Sequence, residues 1–473
     1  MSVRKFFLST LIIATFPLTH AQTVEGWRSA ENADRLMAPL EPIEFSKKRT
    51  RNADVLALDP DTTFQPILGI GNSLEHSTCY NLSLLPEADR RAAIRSIVHP
   101  TEGIGMNLMR VCIGTPDFTG EDWYSYNDMP PGETDPELKN FSIEKDRAHI
   151  IPVLKMALEE NPDLRYFATP WSPPGWMTST DNMIGGHLLP EHYPAYAEYF
   201  VKFIRAYEAE GIPIHAVTVQ NEPGVDRSVE DDPKWFYPSC KWTGKQERDF
   251  IKNHLGPAFE RHNITTEIWS YDHNFNENPT IGDPGISYPR TVFSDSDAAK
   301  YADGVAFHSY VGRAKGMTVF HEEFPEVPIY FTETSTFGVS GAIKIMTYFQ
   351  NWARSYNAWV TILDENRGPN NGPFDASLTS ITYDSPTNSV YYNFDFFMYA
   401  HFSKFIQRGA LRIDLQGTSR KQNAVAFKNP DGTIVVVIAN DNREDWNFAI
   451  EHDGKRFSDS LPPHALATYR WTP

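Results

Sequence analysis

The chain has 473 residues, of which 41% are hydrophobic and 13% aromatic, and its formal net charge at pH 7 is −18. This length and composition suit one barrel-sized domain together with a smaller one. The acidic balance disfavours nucleic acid as a partner, because phosphate binding requires a basic surface.

Residues 1–21 are predicted to form a signal peptide. Arg4 and Lys5 provide a basic start, Phe6–Leu18 is a short apolar run, and small residues follow, which predicts cleavage before Gln22. The alternative is an uncleaved membrane anchor, but a membrane span needs about 20 apolar residues and this run is shorter. We therefore expect an exported protein, secreted or periplasmic, without stable membrane insertion.

The middle of the chain shows a repeated alternation of strand-like and helix-like segments. Two amphipathic helices are predicted, at Ile143–Glu160 with Ser142 as N-cap, and at Tyr193–Ala209. The candidate strands are eight short apolar runs: Ile67–Ser73, Met106–Gly114, Arg165–Ser172, His215–Pro223, Thr266–His273, Gly304–Tyr310, Ile329–Ser335 and Ala358–Asp364. Such alternation implies a parallel sheet, and eight units close into a barrel. The alternative is an open doubly wound sheet, but the glycines of the first strand lack the third glycine of a dinucleotide site.

The C-terminal segment differs, because strand signals follow one another there without helices. Ala424–Phe427 and Thr433–Ala439 flank an Asn-Pro-Asp-Gly turn, and Ala465–Trp471 is a further candidate strand. A sandwich needs more strands than these, and Ile43–Leu58 could supply them. We therefore predict an α/β fold, a (β/α)8 TIM barrel with an antiparallel β-sandwich side domain formed by both chain ends. The predicted boundaries are 22–65 for the N-terminal strands of the sandwich, 66–395 for the barrel and 396–473 for the C-terminal sandwich.

Cysteine and metal-binding patterns are sparse. The three cysteines cannot form a disulfide framework, and Cys112 lies in an apolar strand-like run typical of a buried thiol. No C-x-x-C or H-E-x-x-H pattern occurs, so neither a metal nor another cofactor is predicted.

Chemically active side chains are concentrated at the ends of the predicted strands, where β/α barrels carry their functional residues. They are Glu75, Arg110, Asp117, Trp171, Asn221, Glu222, Asp272, His273, His308, Tyr310, Glu333 and Trp359. A single glutamate after a strand is usually a solvated loop residue. Two carboxylates, at the ends of strands four and seven, instead face each other across the barrel mouth.

Glu222 and Glu333 are the candidate catalytic pair. Glycoside hydrolysis needs one acid to protonate the leaving oxygen and one carboxylate to attack the anomeric carbon, and a separation of about 5–5.5 Å implies retention of configuration. Arg110 would favour the charged form of Glu333. We expect burial and the neighbouring negative charge to raise the pKa of Glu222, so that it is protonated before the reaction.

The aromatic and histidine candidates have structural as well as functional interpretations. Trp171 and Trp359 could serve only as packing, but at a barrel mouth an indole ring also matches the C–H face of a sugar. A lone histidine is more often a structural hydrogen-bonding group. The spacing of His308 and Tyr310 places both side chains on one face of a strand, which favours a shared site.

These residues resemble glycoside hydrolase family 30, in particular its glucosylceramidase-like branch. Gln220–Pro223 (QNEP) is similar to the family's acid/base motif, and Phe331–Thr334 (FTET) to its nucleophile motif. Pro170–Met177 and Asn107–Val111 are similar to the family's third and second strands. The resemblance covers most of the predicted mature chain.

The resemblance implies a retaining double displacement without a cofactor. It also implies that Asp117 and Trp171 hold the terminal sugar and that Asn221 lies near its 2-hydroxyl. Arg110 and Tyr310 would support Glu333, and His308 would line the pocket.

The sequence departs from the family in three places. Glu75-His76 stands where the family has Thr-Asp or Thr-Glu, Ser309 replaces a common tryptophan, and the segment from Glu333 to Trp359 is shorter than in lysosomal members. Because these loops form the rim, the departures count against lipid-linked substrates such as glucosylceramide and make a β-glucoside or a β-1,6-linked glucan at least an equal candidate.

Two other functions remain as alternatives. The first is a non-catalytic carbohydrate-binding barrel, although both glutamates and their supporting residues are present. The second is a metal-dependent hydrolase, which would require clustered ligands when only His76, His273 and His308 are available. The leading prediction is a retaining hydrolase of β-linked glucosides, with an endo-acting β-1,6-glucanase or another β-glycanase of the family as its alternative.

Overall fold

The computed structural model describes residues 22–48, 52–229, 236–275, 277–278, 283–372, 379–417 and 423–473. The predicted signal peptide, residues 1–21, lies outside the described residues, so its cleavage stays a prediction. Among the helices described, none combines the length and the apolar character needed to cross a membrane.

The strands number 23 in the described residues and fall into a barrel, a sandwich and two small sheets. Those of the N-terminal half are β1 Thr23–Ala30, β2 Ala38–Pro39, β3 Ile43–Glu44, β4 Asp54–Pro66, β5 Gly69–Gly71, β6 Leu108–Cys112, β7 Arg165–Thr169, β8 Ile214–Thr218 and β9 Glu267–Asn274. The others are β10 Glu277–Asn278, β11 Asp283–Pro284, β12 Gly304–His308, β13 Ile329–Glu333, β14 Ser355–Asn357, β15 Ile362–Asp364, β16 Ile381–Asp384, β17 Ser389–Tyr392, β18 Leu411–Gln416, β19 Ala424–Lys428, β20 Ile434–Asn440, β21 Trp446–His452, β22 Lys455–Leu461 and β23 Ala465–Trp471.

Of the α-helices in the described residues, the last follows the eighth barrel strand and the others lie between successive barrel strands. They are α1 His76–Leu84, α2 Glu87–Val98, α3 Ile150–Glu160, α4 Tyr193–Ala209, α5 Gly244–Phe250, α6 Gly256–His262, α7 Ser287–Phe293, α8 Ser296–Ala299, α9 Lys315–Glu323, α10 Gly338–Gln350 and α11 Phe394–Ser403. A π-helical turn, Ile251–Leu255, joins α5 to α6.

Eight parallel strands close into the predicted barrel. Six of them pair in the order β13-β12-β9-β8-β7-β6, and β14 pairs with β5. Backbone hydrogen bonds join the two groups, from Asn107 N to Ile70 O (3.0 Å) on one side and from Arg354 N to Ile329 O (2.7 Å) on the other. Gly71 permits the close approach of β5 to β6, because a Cβ there would lie 1.7 Å from the carbonyl oxygen of Leu108.

The eighth barrel strand lies earlier than predicted. It is Ser355–Asn357, which pairs with Gly69–Gly71, whereas Ile362–Asp364 joins a small separate sheet. The apolar run 358–364 gave a stronger strand signal than residues 355–357, because Asn357 is a polar residue. Its buried amide nitrogen instead donates to the Leu108 carbonyl at 2.7 Å, which holds the side chain inside the barrel wall even though its Oδ1 has no hydrogen-bond partner.

Large side chains fill the N-terminal end of the barrel interior. They form one buried cluster, Leu108, Phe167, Ala216, Trp269, Ala306 and Tyr330. The Trp269 and Tyr330 rings stack with centroids 3.9 Å apart. Truncating a ring of this kind to alanine costs about 3–5 kcal/mol. Because this end is filled, the polar strand ends at the opposite face remain available for a ligand.

The helix prediction at Tyr193–Ala209 is confirmed, whereas the one at Ile143–Glu160 is too long. Here α3 begins at Ile150 and is preceded by a separate 3-10 turn, Glu144–Arg147. Ser142 is the N-cap of neither element, and its hydroxyl accepts from Glu144 N at 3.2 Å just before the turn. Asp146, in the turn, is buried and accepts hydrogen bonds from three tyrosine hydroxyls, which holds it apart from the helix.

Both chain ends build the side domain, as predicted. β1 pairs antiparallel with β23, and β4 lies between β18 and β21. The C-terminal segment contributes six strands, three more than its sequence indicated, because charged residues interrupt the alternation in β18, β21 and β22. His401 on α11 joins the two domains, with its ring nitrogens 2.9 Å from the hydroxyls of Ser29 and Thr468.

Candidate active site

Glu222 and Glu333 meet at the C-terminal mouth of the barrel. Glu222 lies four residues after the end of β8, and Glu333 is the last residue of β13. A carboxylate oxygen of each and a ring nitrogen of His308 all lie within 4.8 Å of one another. This spacing is close to the separation of about 5–5.5 Å that covalent, retaining glycoside hydrolysis requires.

Two donors hold the carboxylate of Glu333 in place. The guanidinium of Arg110, which is fully buried, contacts one carboxylate oxygen of Glu333 through Nη1. The hydroxyl of Tyr310 donates to the other oxygen at 2.8 Å. Arg110 Nη2 also donates to Asn221 Oδ1 at 2.8 Å, so a single cation positions residues from β13 and from the loop after β8.

Asp272 organises the floor of the site. It accepts from Arg110 Nη2 at 2.8 Å and faces His308 Nε2 at 2.9 Å. Three threonine hydroxyls at the ends of neighbouring strands also donate to it, those of Thr169, Thr218 and Thr332. Burial alone would raise its pKa, but the charges of Arg110 and His308 hold that pKa below the usual range. Asp272 therefore stays ionised and fixes both cations.

The proton expected on Glu222 is carried by His308 instead. His308 Nδ1 lies 3.3 Å from Glu222 Oε1. Burial would lower the pKa of His308, but the charges of Glu333 and Asp272 raise it to about 10. Burial would likewise raise the pKa of Glu222, but the adjacent His273 and His308 lower it to about 2. The predicted upward shift at Glu222 is therefore wrong, because two imidazoles outweigh burial.

Trp171 and Trp359 form an aromatic wall beside the carboxylates. Their rings stack with centroids 4.9 Å apart, and the guanidinium of Arg110 lies 4.7 Å and 5.3 Å from the two centroids. Trp359 is 7% exposed and Trp171 2%. Both rings thus pack against the site, and their stacking on a sugar stays a prediction.

Asp117 lies in the same pocket and has an unsatisfied acceptor. Its carboxyl is buried, and Oδ1 has no hydrogen-bond partner. Burial, followed by the charges of Glu333 and Glu222, raises its pKa well above the ordinary value. An unpaired buried acceptor at this position favours a hydroxyl-bearing ligand.

The structure brings eleven of the twelve strand-end candidates into this region of the barrel mouth, whereas Glu75 caps α1 by accepting from Thr78 N. Sequence reasoning missed two others, Arg227 and Tyr237, which follow β8 in a loop without periodicity. Arg227 Nη2 donates to the Tyr237 hydroxyl at 2.6 Å. Tyr237 is buried in the same cluster as Trp171 and Trp359, and the charge of Arg227 acts on Glu222. No sequence signal pointed to either residue.

Within the described part of the chain, one oxygen of Glu222, one oxygen of Glu333 and a ring nitrogen of His308 lie close enough together to ligate a metal ion. The electrostatics of this grouping favour another use. Arg110 already neutralises Glu333, and both nitrogens of His308 face carboxylates. A second cation between them would be repelled, so the arrangement is better suited to proton transfer and nucleophilic attack.

Comparisons with known proteins point to one family. The chain matches the Glycosyl hydrolase family 30 TIM-barrel domain over residues 67–406 and the Glycosyl hydrolase family 30 beta sandwich domain over residues 409–469. It is 32% identical over 402 residues to the Endo-1,6-beta-D-glucanase of Neurospora crassa, covering 80% of each chain. It is 29% identical to the Lysosomal acid glucosylceramidase of Mus musculus, covering 95% of this chain and 89% of the other.

Among solved structures, the endo-beta1,6-glucanase BT3312 superimposes with a TM-score of 0.84 at 29% identity, covering 95% of this chain and 99% of that one. SrfJ from Salmonella typhimurium superimposes with a TM-score of 0.86 at 23% identity, covering 95% and 100%. The second likeness bears on the fold alone.

Proposed function

The chain belongs to glycosyl hydrolase family 30 and is therefore a retaining β-glycoside hydrolase, and we propose on this premise that Glu333 is its nucleophile and Glu222 its acid/base. The observation that carries the assignment is the approach of the two carboxylates to within 4.8 Å at the ends of two facing strands. Their supports differ, because Glu333 is held by the Arg110 guanidinium and the Tyr310 phenol, whereas Glu222 faces the rings of His273 and His308.

The reaction follows in two steps from this geometry. In the first, a carboxylate oxygen of Glu333 attacks the anomeric carbon, the bond to the leaving oxygen breaks, and Glu222 delivers a proton to that oxygen. In the second, water attacks the same carbon, gives its proton to Glu222, and releases Glu333. Asp117, with its unpaired oxygen, would accept from a sugar hydroxyl throughout, and the tryptophan wall would border the ring.

His308 is proposed as the store of the acid proton. Its pKa is raised to about 10 while that of Glu222 is lowered to about 2, so the pair carries one proton across the neutral range. Transfer from His308 Nδ1 to Glu222, across the observed 3.3 Å contact, would leave both groups neutral and Glu222 ready to protonate the leaving oxygen. The nearby Asp272 carboxylate keeps the imidazole oriented.

His308→Ala is expected to move the alkaline limb of kcat/KM to lower pH by about one unit or more. In the wild type the shared proton is lost only as pH rises toward the pKa of about 10 at His308. Without the imidazole the proton must reside on the carboxyl of Glu222, which releases it at lower pH. A pH–rate profile with an aryl β-glucoside measures the limb. Asp272→Asn should shift it in the same direction, and an unmoved limb in both variants would contradict the proton store.

We further propose β-1,6-linked glucan as the substrate. Two similar proteins are named as endo-β-1,6-glucanases, one of them a solved structure that covers nearly the whole chain. The rim segment between Glu333 and Trp359 is short, which suits a chain passing over the site. The signal-peptide pattern of residues 1–21 agrees with an enzyme that meets polysaccharide outside the cytoplasm.

A panel of aryl β-glycosides, β-linked gluco-oligosaccharides of each linkage and glucosylceramide tests the substrate. We expect the highest kcat/KM on β-1,6-linked oligosaccharides, with internal cleavage products by chromatography. Preference for glucosylceramide would instead favour the activity named for the lysosomal relative. Activity confined to aryl β-glucosides and disaccharides would replace the glucanase proposal with a β-glucosidase.

A further inference from the structure

A chain of hydrogen bonds reaches the nucleophile from the end of β9. Asn274, the last residue of that strand, is buried, and its side chain contacts the loop 309–314 that links β12 to α9. Asn274 Oδ1 accepts from the backbone N–H of Tyr310 at 2.7 Å and from that of Val311 at 3.0 Å. The hydroxyl of Tyr310 in turn donates to Glu333 Oε1 at 2.8 Å. Asn274 is thus linked to the nucleophile through one intermediate residue.

The two partners of the Asn274 side chain fix the orientation of its amide. Both are backbone N–H groups, which can only donate, so the amide oxygen must face them. Within the described part of the chain, the N–H groups of Tyr310 and Val311 have no other acceptor. A residue without an acceptor at position 274 would therefore leave two neighbouring donors of this loop without a protein partner.

A β-bulge in β9 gives Asn274 its position. The pairing of β9 with β12 skips Asp272, which is an extra residue in the strand and has a φ of 62°. The bulge turns the Asp272 carboxylate toward Arg110. It also brings Asn274 opposite His308, two residues before Tyr310. Bulges beside active sites re-aim side chains in this way, so the backbone of β9 determines that Asn274 reaches the loop.

Packing alone does not hold Tyr310 in place. The residue is 48% exposed, and its ring meets that of His308 edge-on with centroids 6.3 Å apart. The preceding residue, Ser309, is held by a 3.3 Å hydrogen bond from its N–H to the carbonyl oxygen of Glu333. A half-exposed ring has few contacts that restrict it, so the position of its hydroxyl depends on where the backbone of Tyr310 is fixed. Asn274 is the side chain that fixes that backbone.

The Tyr310 hydroxyl defines the plane of the Glu333 carboxylate. Arg110 Nη1 contacts Oε2, and a contact at one oxygen leaves the carboxylate free to rotate about it. A second donor at Oε1 removes that rotation. Because a misplacement of about 1 Å can cost about 10²-fold in rate, the donor at Oε1 matters for nucleophilic attack.

We propose that Asn274 is a positioning residue for the nucleophile. It fixes the backbone of Tyr310, whose hydroxyl then holds the carboxylate of Glu333 in the plane needed for attack. The inference rests on the proposed role of Glu333 and extends it to a residue of another strand. Because Asn274 acts through Tyr310, its loss should slow the chemical step and leave sugar binding nearly unchanged.

A double-mutant cycle on the full chain tests the inference, with an aryl β-glucoside as substrate. Tyr310→Phe should lower kcat by about 10–10²-fold, the effect of removing a hydrogen bond to a charged group. Asn274→Ala should lower kcat by about tenfold, with KM within about threefold of wild type. In the Tyr310→Phe background, Asn274→Ala should lower kcat by less than about threefold, because the contact that it supports is already absent.

Asn440→Ala is the matched control for Asn274→Ala. Asn440 is also a buried asparagine at the end of a strand, β20, and its Oδ1 accepts from a backbone N–H, that of Asn442 at 3.2 Å, but it lies in the sandwich. We expect a lower thermal unfolding midpoint and an unchanged kcat in both backgrounds. If Asn274→Ala fails to fold, Asn274→Ser replaces it in the cycle, because serine keeps a polar group but is too short to reach both N–H groups.

An unchanged kcat in the folded Asn274 variant would overturn the inference. A loss of equal size in the wild-type and Tyr310→Phe backgrounds would also overturn it, because the effect would then be structural. Full activity in Tyr310→Phe beside an inactive Glu333→Gln would remove the route through Tyr310 and leave the nucleophile in place. Full turnover in Glu333→Gln would instead remove the proposed function, and this inference with it.

Discussion

Glu333→Gln is expected to lower kcat on an aryl β-glucoside by about 10⁴-fold or more, with the fold intact. Losses of that size accompany removal of a catalytic nucleophile and correspond to about 5 kcal/mol of transition-state stabilisation. The amide keeps the shape of the side chain, and its single oxygen can still accept from Arg110, but its NH2 group cannot accept from Tyr310 and the amide cannot form the ester with the anomeric carbon. Steady-state kinetics and circular dichroism measure the two effects separately.

The charges around Arg110 predict that Glu333→Gln also lowers the thermal stability. Arg110 lies between Glu333 and Asp272, and both carboxylates compensate its buried charge. Removing one of them leaves the cation with Asp272 alone, so a lower thermal midpoint is expected beside the lost turnover. The stability change and the catalytic change thus have different causes, and the second should persist at temperatures where the variant is fully folded.

Glu247→Gln is the matched control for Glu333→Gln. Glu247 is also a fully buried glutamate of the barrel, hydrogen-bonded to the Ser270 and Tyr288 hydroxyls and to Tyr271 N. Its loss should lower stability while kcat stays within about tenfold of wild type. Full activity in Glu333→Gln would remove this residue from the mechanism. An equal loss in both variants would show that the effect is structural.

The barrel could be predicted from the sequence because its strand signals are local. Tyr193–Ala209 is an amphipathic helix that contains its own pattern, and β7, β9 and β13 are short apolar runs that end in polar residues. The eighth strand was predicted too late in the chain because Asn357 is a polar residue, and only the closed barrel brings the Leu108 and Asn72 carbonyls to its amide nitrogen. Likewise β21 and β22 are recognisable only through their partners in the sheet.

The candidate site likewise has features that the sequence predicts and features that only the folded barrel creates. The positions of Glu222 and Glu333 follow from strand order, since the ends of strands four and seven face each other in any closed eight-stranded barrel. The protonation of Glu222 does not follow from strand order. It is set by His273 and His308, which come from two other strands, and by Asp272, which five neighbouring side chains hold in place. Such a network exists only after the barrel has closed, so no sequence window contains it.

The effect of Glu222→Ala on the rate is expected to depend on the leaving group of the substrate. With an alkyl or sugar leaving group, kcat/KM should fall by about 10²–10⁴-fold, the usual contribution of general acid catalysis. With a nitrophenyl leaving group, which departs without a proton, the first step should be nearly preserved. The glycosyl enzyme should then accumulate, because no base activates water. A burst of nitrophenol in pre-steady-state kinetics measures that accumulation.

Azide distinguishes the two carboxylates by the stereochemistry of its product. In Glu222→Ala the glycosyl ester on Glu333 still forms, and azide attacks it from the open face, so the rate rises and a β-glycosyl azide results. In Glu333→Gly the small anion instead occupies the place of the missing carboxylate and attacks the substrate directly, which gives the α-glycosyl azide. Nuclear magnetic resonance of the product reads the anomer. An α-azide from Glu222→Ala would reverse the two assignments. The absence of both azide acceleration and the burst would contradict the acid/base role of Glu222. Opposite anomers from the two variants require a nucleophile on one face of the sugar and a proton donor on the other.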